Sequence, residues 1–222
     1  MTQAKAQHAK KVKNRTLVMF SGGLDSTAAL WHVVNRPEEY GDIHVHHIHI
    51  QNVENRWKAE AESVKAILAY IRKSAPAEFS VSESVIRTPQ FGNKFMFDAE
   101  IFNYLSGYMT SRDPLINKVV LGITGTDYEI GFDEVAKRGK AMHNAFHSDE
   151  EDNATRLKEF PLKDLTKNEV YKSLPSELAL LTWSCRRPRY VEGKPVECGK
   201  CKTCVTEMSG VQRPTPIKPT TK

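Results

Sequence analysis

Thr16-Leu17-Val18-Met19-Phe20-Ser21-Gly22-Gly23-Leu24-Asp25-Ser26-Thr27 is the stretch that decides the fold. Its apolar first half reads as a buried strand. The segment Ser26 to Val34 reads as a helix. A loop of small residues between a strand and a helix N-terminus is a place to hold phosphate. Two glycines let the backbone approach an anion and tolerate positive φ. The first helical amides have no internal partner, and the positive end of the helix dipole lies behind them. Ser21, Ser26 and Thr27 add hydroxyl donors. The stretch has neither the Gly-x-x-x-x-Gly-Lys-Ser/Thr spacing of a P-loop nor the Gly-x-Gly-x-x-Gly of a dinucleotide site. An isolated Gly-Gly would be read as a plain turn. In this context the expectation is a nucleotide bound through its phosphates.

Outward from that loop, strand and helix patterns alternate. Residues 15–20, Asp42–Ile50, Phe79–Ile86 and Lys118–Thr124 read as strands. Helical spacing covers 26–36, Asn55–Arg72, Asp98–Met109 and Phe132–His147, the second with Trp57, Ala61, Val64, Ile67, Leu68 and Ile71 on one face. Ser148–Thr155 reads as an acidic loop, and Thr166-x-x-Glu169 as a capping box opening a short helix that Pro175 closes. Alternating strands and helices imply an α/β fold, a Rossmann-like parallel sheet flanked by helices. Ligands of such sheets sit at the carboxyl ends of the strands. The loops Ser21–Ser26, Gln51–Asn55 and Gly122–Asp127 are therefore expected to face one crevice.

The chain has 222 residues, 40% of them hydrophobic, and a net charge of +5. A substantial core is expected, and no apolar run approaches the ~20 residues of a membrane span. Met1–Arg15 is basic and has no apolar signal core. The mild charge fits solvated surface better than a nucleic-acid footprint. The expected organisation is a basic tail over 1–14, a nucleotide-binding domain over 15–175, a zinc-binding segment over 176–210 and a flexible tail over 211–222.

All four cysteines lie late: Cys185, Cys198, Cys201 and Cys204. The last three form Cys-Gly-Lys-Cys-Lys-Thr-Cys. Such clustering, without thiols elsewhere, points to a metal in a reducing, cytoplasmic compartment. A closed tetrahedral Zn²⁺ site is the leading reading. An iron–sulfur cluster, a redox pair and inert thiols stay open.

Other residues carry two readings each. His44, His46, His47 and His49 are read as solvent-edge residues of a strand in preference to a metal site. Asp127 and Asp133 could grip a base or magnesium, or cap a loop. Asp25 could hold a metal, orient the loop or act as helix N-cap. Trp183 could stack on a base, with packing on the cysteine segment the favoured reading. For Arg186, Arg187 and Arg189 a solvated basic loop is favoured over an anion site.

Taken together, Ser-Gly-Gly-Leu-Asp-Ser resembles the "PP-loop" of ATP-dependent adenylating enzymes. Leu165-Thr166-Lys167, Leu181-Thr182-Trp183-Ser184-Cys185 and Cys198–Cys204 resemble the C-terminal half of the 7-cyano-7-deazaguanine synthase (QueC) family. The resemblance runs from about Thr16 to Cys204. It implies a PP-loop ATPase fold with a C-terminal zinc knuckle, and an ATP-dependent ligase. The carboxylate of 7-carboxy-7-deazaguanine attacks the α-phosphorus of ATP, ammonia displaces AMP from the acyl-adenylate, and a second ATP drives dehydration of the amide to the nitrile. Ser21, Asp25 and Ser26 are the catalytic residues so implied. Phe20, Ser21, Gly22, Gly23, Leu24, Asp25, Ser26, Thr27, Gly122 and Asp127 are expected at the nucleotide, and Cys185, Cys198, Cys201 and Cys204 at a structural Zn²⁺. Mg²⁺ accompanies ATP. The expected partners are a small deazapurine acid, ammonia and ATP, with no membrane and no stable nucleic-acid partner, and the Tyr104–Met109 face is compatible with a homodimer. After the second strand, where the family has an Asp-Tyr-Gly-Gln-Arg-His-like stretch, this chain has His49-Ile50-Gln51-Asn52-Val53-Glu54-Asn55-Arg56. Two other readings stay open: a PP-loop enzyme adenylating another acceptor, and a non-catalytic zinc or nucleic-acid-binding module.

Overall fold

A computed structural model describes residues 14–91, 98–129, 133–147 and 157–207. The chain runs β1 (Arg15–Phe20), α1 (Leu24–Val34), α2 (Pro37–Tyr40), β2 (Asp42–Gln51), α3 (Trp57–Ser74), β3 (Phe79–Arg87), α4 (Asp98–Arg112) and β4 (Ile116–Val120). It continues through α5 (Gly125–Glu129), α6 (Asp133–Asn144), β5 (Leu157–Glu159), α7 (Lys167–Lys172), α8 (Ser176–Leu180), β6 (Arg189–Val191) and β7 (Lys194–Val196). The first five strands form one sheet in the order β3-β2-β1-β4-β5, with every neighbouring pair parallel. β6 and β7 form a separate antiparallel hairpin.

β1 is central, so both its faces must be apolar. Val18 and Phe20 join one core with Ala28, Leu30 and Val33 of α1, Val64, Ile67, Leu68 and Ile71 of α3, and Val170 and Leu178 of α7 and α8. Leu17 and Met19 face the opposite core, with Ile48, Ile50, Val119 and Ile101 of α4. Phe102, Leu105 and Met109 pack against that second core. The chain leaves β1 toward β2 on one side and returns through β4 on the other. The sheet order therefore reverses between β1 and β4, and the loops leaving these two strands diverge there. A crevice opens at such a point.

The expected α/β architecture is observed, and its four long strands fall close to their expected ranges. β4 stops at Val120, earlier than Thr124, and Thr124 instead bridges to Leu162. α1 begins at Leu24 with Gly23 as N-cap. This removes the N-cap reading for Asp25, which lies inside the first turn. Both hydrogen bonds of the capping box are present at Thr166 and Glu169. The helix it opens ends at Lys172, and Pro175 serves as N-cap of α8. The Ser148–Thr155 loop lies outside the described residues. The histidines of β2 are not at an edge, because β3 is the edge strand. His46 and His47 are buried. His44 and His46 hydrogen-bond the hydroxyls of Ser80, Ser82 and Ser84 at 2.7–3.0 Å. Burial lowers His46 and His47 to about 4, so both are neutral at pH 7.

Candidate functional site

The loop between β1 and α1 is built from its own small side chains. Ser21 Oγ lies 2.9 Å from Ser26 Oγ, and Ser26 Oγ accepts the Ser21 amide at 3.2 Å. The Gly23 amide donates to Ser21 Oγ at 3.3 Å. These bonds fold residues 21–26 into a closed loop at the start of α1. Gly22 is held at φ 78°, and a Cβ there would meet Val64 Cγ2 at 2.7 Å. A left-handed turn pressed on α3 is the reason for glycine here. Phe20 is fully buried and serves the loop through its backbone, since its carbonyl meets His47 Nδ1 at 2.9 Å. The Thr27 hydroxyl is turned inward onto the Gly23 carbonyl at 2.8 Å. Of the residues expected at the nucleotide, Ser21, Gly23, Leu24, Asp25, Ser26, Gly122 and Asp127 line one cleft of about 500 Å³.

The loop after β4 closes on the same point. Gly122 lies against the start of α1, where a Cβ would come within 2.6 Å of the Asp25 backbone carbon. Asp127 Oδ2 accepts from the Thr124 amide and hydroxyl, both at 2.9 Å, so its loop-cap role is present. Its other oxygen lies 3.6 Å from Lys167 Nζ. Lys167 also pairs with Asp25 Oδ2. The ammonium is therefore shared by two carboxylates from two different strand ends, and it lines the cleft. The local sequence around Lys167 gives it no role by itself. The capping box one residue earlier aims it, and that motif was the available signal.

The far end of the cleft is a wall of buried and half-buried charge. Arg56 Nε lies 2.9 Å from Glu54 and Nη1 2.9 Å from Glu60, and Nη2 pairs with Asp98. Arg186 reaches in from the cysteine segment, meeting both oxygens of Glu54 at 3.0 and 3.1 Å and Asp98 at 3.2 Å. The solvated-loop reading fails for Arg186 because these carboxylates recruit it. It holds for Arg187 and Arg189, which are exposed. Burial opposes the charge on Asp98, but Arg56 and Arg186 outweigh it and hold the carboxyl below its usual range. Glu60 differs. Burial, only partly offset by Arg56, pushes it up to about 7.

The four cysteines converge. Their sulfur atoms all lie within 4.8 Å of one another, with 4.0 Å from Cys198 to Cys204 and from Cys201 to Cys185. A tetrahedron with metal–sulfur bonds of about 2.3 Å has edges of about 3.8 Å. Cys198 N–H donates to Cys185 Sγ and Cys201 N–H to Cys198 Sγ, each at 3.2 Å. Amide donors of this kind stabilise thiolates, and the set fits a metal such as zinc. Trp183 ties this cluster to the β1–α1 loop. Its indole N–H donates to the Cys185 carbonyl at 2.9 Å, and its amide donates to the Gly22 carbonyl at 3.0 Å. The side chain lines the cleft while bracing the cluster.

Fold and site together define a doubly wound α/β protein with a cleft at the sheet's reversal point and a four-thiol cluster stapled beside it. The sequence model of the family described as queuosine biosynthesis protein QueC matches residues 98–214, more than half of the chain. The chain belongs to that family. The matched stretch holds Asp98, Asp127, Lys167, Arg186 and all four cysteines, and it begins after the Ser21–Ser26 loop. No protein of curated function matches the chain. No helix among the described residues is long and apolar enough to cross a membrane.

Proposed function

We propose that the protein is an ATP-dependent ligase that adenylates a deazapurine carboxylic acid, 7-carboxy-7-deazaguanine, and replaces AMP with ammonia, leading to the amide and then the nitrile. The observation that carries this reading is the meeting of the Ser21–Ser26 loop with the Gly122–Asp127 loop in one cleft, with the Lys167 cation between them. Carboxylates are inert to ammonia because oxide is a poor leaving group. Adenylation supplies a good one, and the developing negative charge of pyrophosphate must be met by donors. The amides at the start of α1, the Ser21 and Ser26 hydroxyls and Lys167 provide them. A triphosphate entering the loop competes with Asp25 and Asp127 for the Lys167 ammonium. Asp25, so released, orients the loop and is a ligand available to the Mg²⁺ that accompanies ATP. When bound, that ion neutralises phosphate charge. The charged wall of Arg56, Glu60, Asp98 and Arg186, with Glu54 paired to both arginines, then faces the acceptor. Zn²⁺ on the four cysteines holds Trp183 and Arg186 in place and takes no part in the chemistry.

The test combines protein, Mg·ATP, ammonium and 7-carboxy-7-deazaguanine, read by mass spectrometry. AMP and a base lighter by the elements of one or two water molecules, relative to acid plus ammonia, are expected. ADP in place of AMP would overturn attack at the α-phosphorus. Ser26→Ala is expected to depress AMP release, and unaltered turnover would remove the loop from the site.

A further inference from the structure

Arg56, Glu60, Asp98 and Arg186 line the far wall of the cleft, Glu54 pairs with both arginines, and the charges these five groups can carry do not balance. Arg56 and Arg186 supply two positive charges, whereas Glu54, Asp98 and Glu60 offer three carboxylates. Glu54 and Asp98 each touch both guanidinium groups. Among the described residues Glu60 pairs with Arg56, at 2.9 Å. Its side chain is 7% exposed, yet it lines the cleft. Its own backbone carbonyl lies 3.4 Å from where a Gly22 Cβ would stand. The first turns of α3 thus press Glu60 against the back of the phosphate loop. The remaining carboxyls that line the cleft are committed differently: Asp25 and Asp127 face the Lys167 ammonium.

We infer that Glu60 is the general base of the amide-forming step, taking a proton from the nitrogen nucleophile as it enters to attack the acyl-adenylate. The inference rests on the ligase reading above. Ammonia is almost wholly ammonium at neutral pH and cannot attack until it loses a proton. In the proposed step Glu60 takes one proton from ammonium. The nitrogen lone pair forms the C–N bond at the acyl carbon, and the C–O bond to AMP breaks. The second surplus proton leaves on the phosphate of departing AMP, and two remain on the amide. An efficient base has its pKa near the working pH, and burial places Glu60 at about 7. Its surroundings set that position. Arg56 and Arg186 pull it down, Asp98 and Glu54 push it up, Tyr190 of β6 packs beside its helix, and Lys202 lines the same cleft. Asp98 Oδ1 is buried without a hydrogen-bond partner among the described residues, so the wall has spare acceptor capacity for N–H groups.

Two partial reactions separate this role from the rest. Acid-dependent exchange of labelled pyrophosphate into ATP reports adenylation. Product formation with ammonium or with hydroxylamine reports the second step, and hydroxylamine is already neutral at pH 7. In the wild type, amide formation is expected to fall below a midpoint near pH 7, because the base is then protonated. Glu60→Gln is expected to lower amide formation roughly 100-fold and abolish that limb, while exchange and hydroxamate formation fall far less. Glu60→Asp, which keeps the charge and guards against a folding defect, is expected to restore the limb at reduced rate. Equal losses with both nucleophiles, or a pH limb that survives Glu60→Gln, would overturn the assignment. Absence of exchange in the wild type would instead overturn the adenylation reading, and this inference with it.

Discussion

Gly122 has no room for one further carbon. A methyl group there would sit 2.6–2.7 Å from the backbone of Asp25 and Ser26, which cannot yield as a flexible side chain would. Gly122→Ala is expected to destabilise the fold by about 1–3 kcal/mol, as overpacking does, and to weaken ATP binding by moving the start of α1. Thermal unfolding with and without Mg·ATP checks this, and an unchanged transition would contradict the contact. At this scale the sequence is half legible. Ser21, Ser26 and the glycines can be read because they are neighbours in one loop. Lys167 and Arg186 cannot. Lys167 meets Asp25 across 142 positions and Arg186 meets Glu54 across 132. Nothing in the local pattern of a lysine or arginine says which distant carboxylate will hold it. The same limit made Arg186 look like solvated surface and hid the burial of His46 and His47, which depends on β3 lying outside β2.

Elements were legible in proportion to their length. α3 repeats apolar residues over 18 positions and β2 runs for 10, so their patterns stand clear of chance. α5, α8, β5, β6 and β7 have three to five residues each, too few for any periodicity. β5 is a strand because β4 presents an open edge for Leu157–Glu159 to pair with. The short α7 was readable only through its cap. Thr166 accepts the Glu169 amide, and Glu169 Oε2 accepts the Thr166 amide at 2.8 Å. Thr166→Ala is expected to cost about 1 kcal/mol in urea unfolding. Because the cap also aims Lys167, the same variant should raise the ATP concentration needed for half-saturation. Thr166→Ser should do neither.

Across the whole molecule, the cysteine cluster and the cleft are one mechanical unit. Trp183 joins Cys185 to Gly22, and Arg186 joins the same segment to Glu54 and Asp98. Metal removal is therefore expected to do more than loosen the C-terminal end. Metal analysis should give one zinc per chain. Chelation should lower the thermal transition, since binding energy of a structural zinc is folding energy, and readdition should restore it. Iron with visible absorbance, or a transition unmoved by chelation, would contradict the zinc assignment.

The sequence by itself determined the alternation of strands and helices, the small-residue loop at the head of the first helix and the spacing of the four thiols. Each is a local pattern, written in residues a few positions apart and governed by backbone sterics and burial. The tertiary structure decided what those parts enclose. Only the strand order β3-β2-β1-β4-β5 brings the loops of β1 and β4 together. Only packing settles which carboxylates share Arg56, Arg186 and Lys167, and which one is left to be shifted by burial. Ionisation depends on the charges and solvent around a group in space, and their distances are fixed by the fold rather than by separation along the chain.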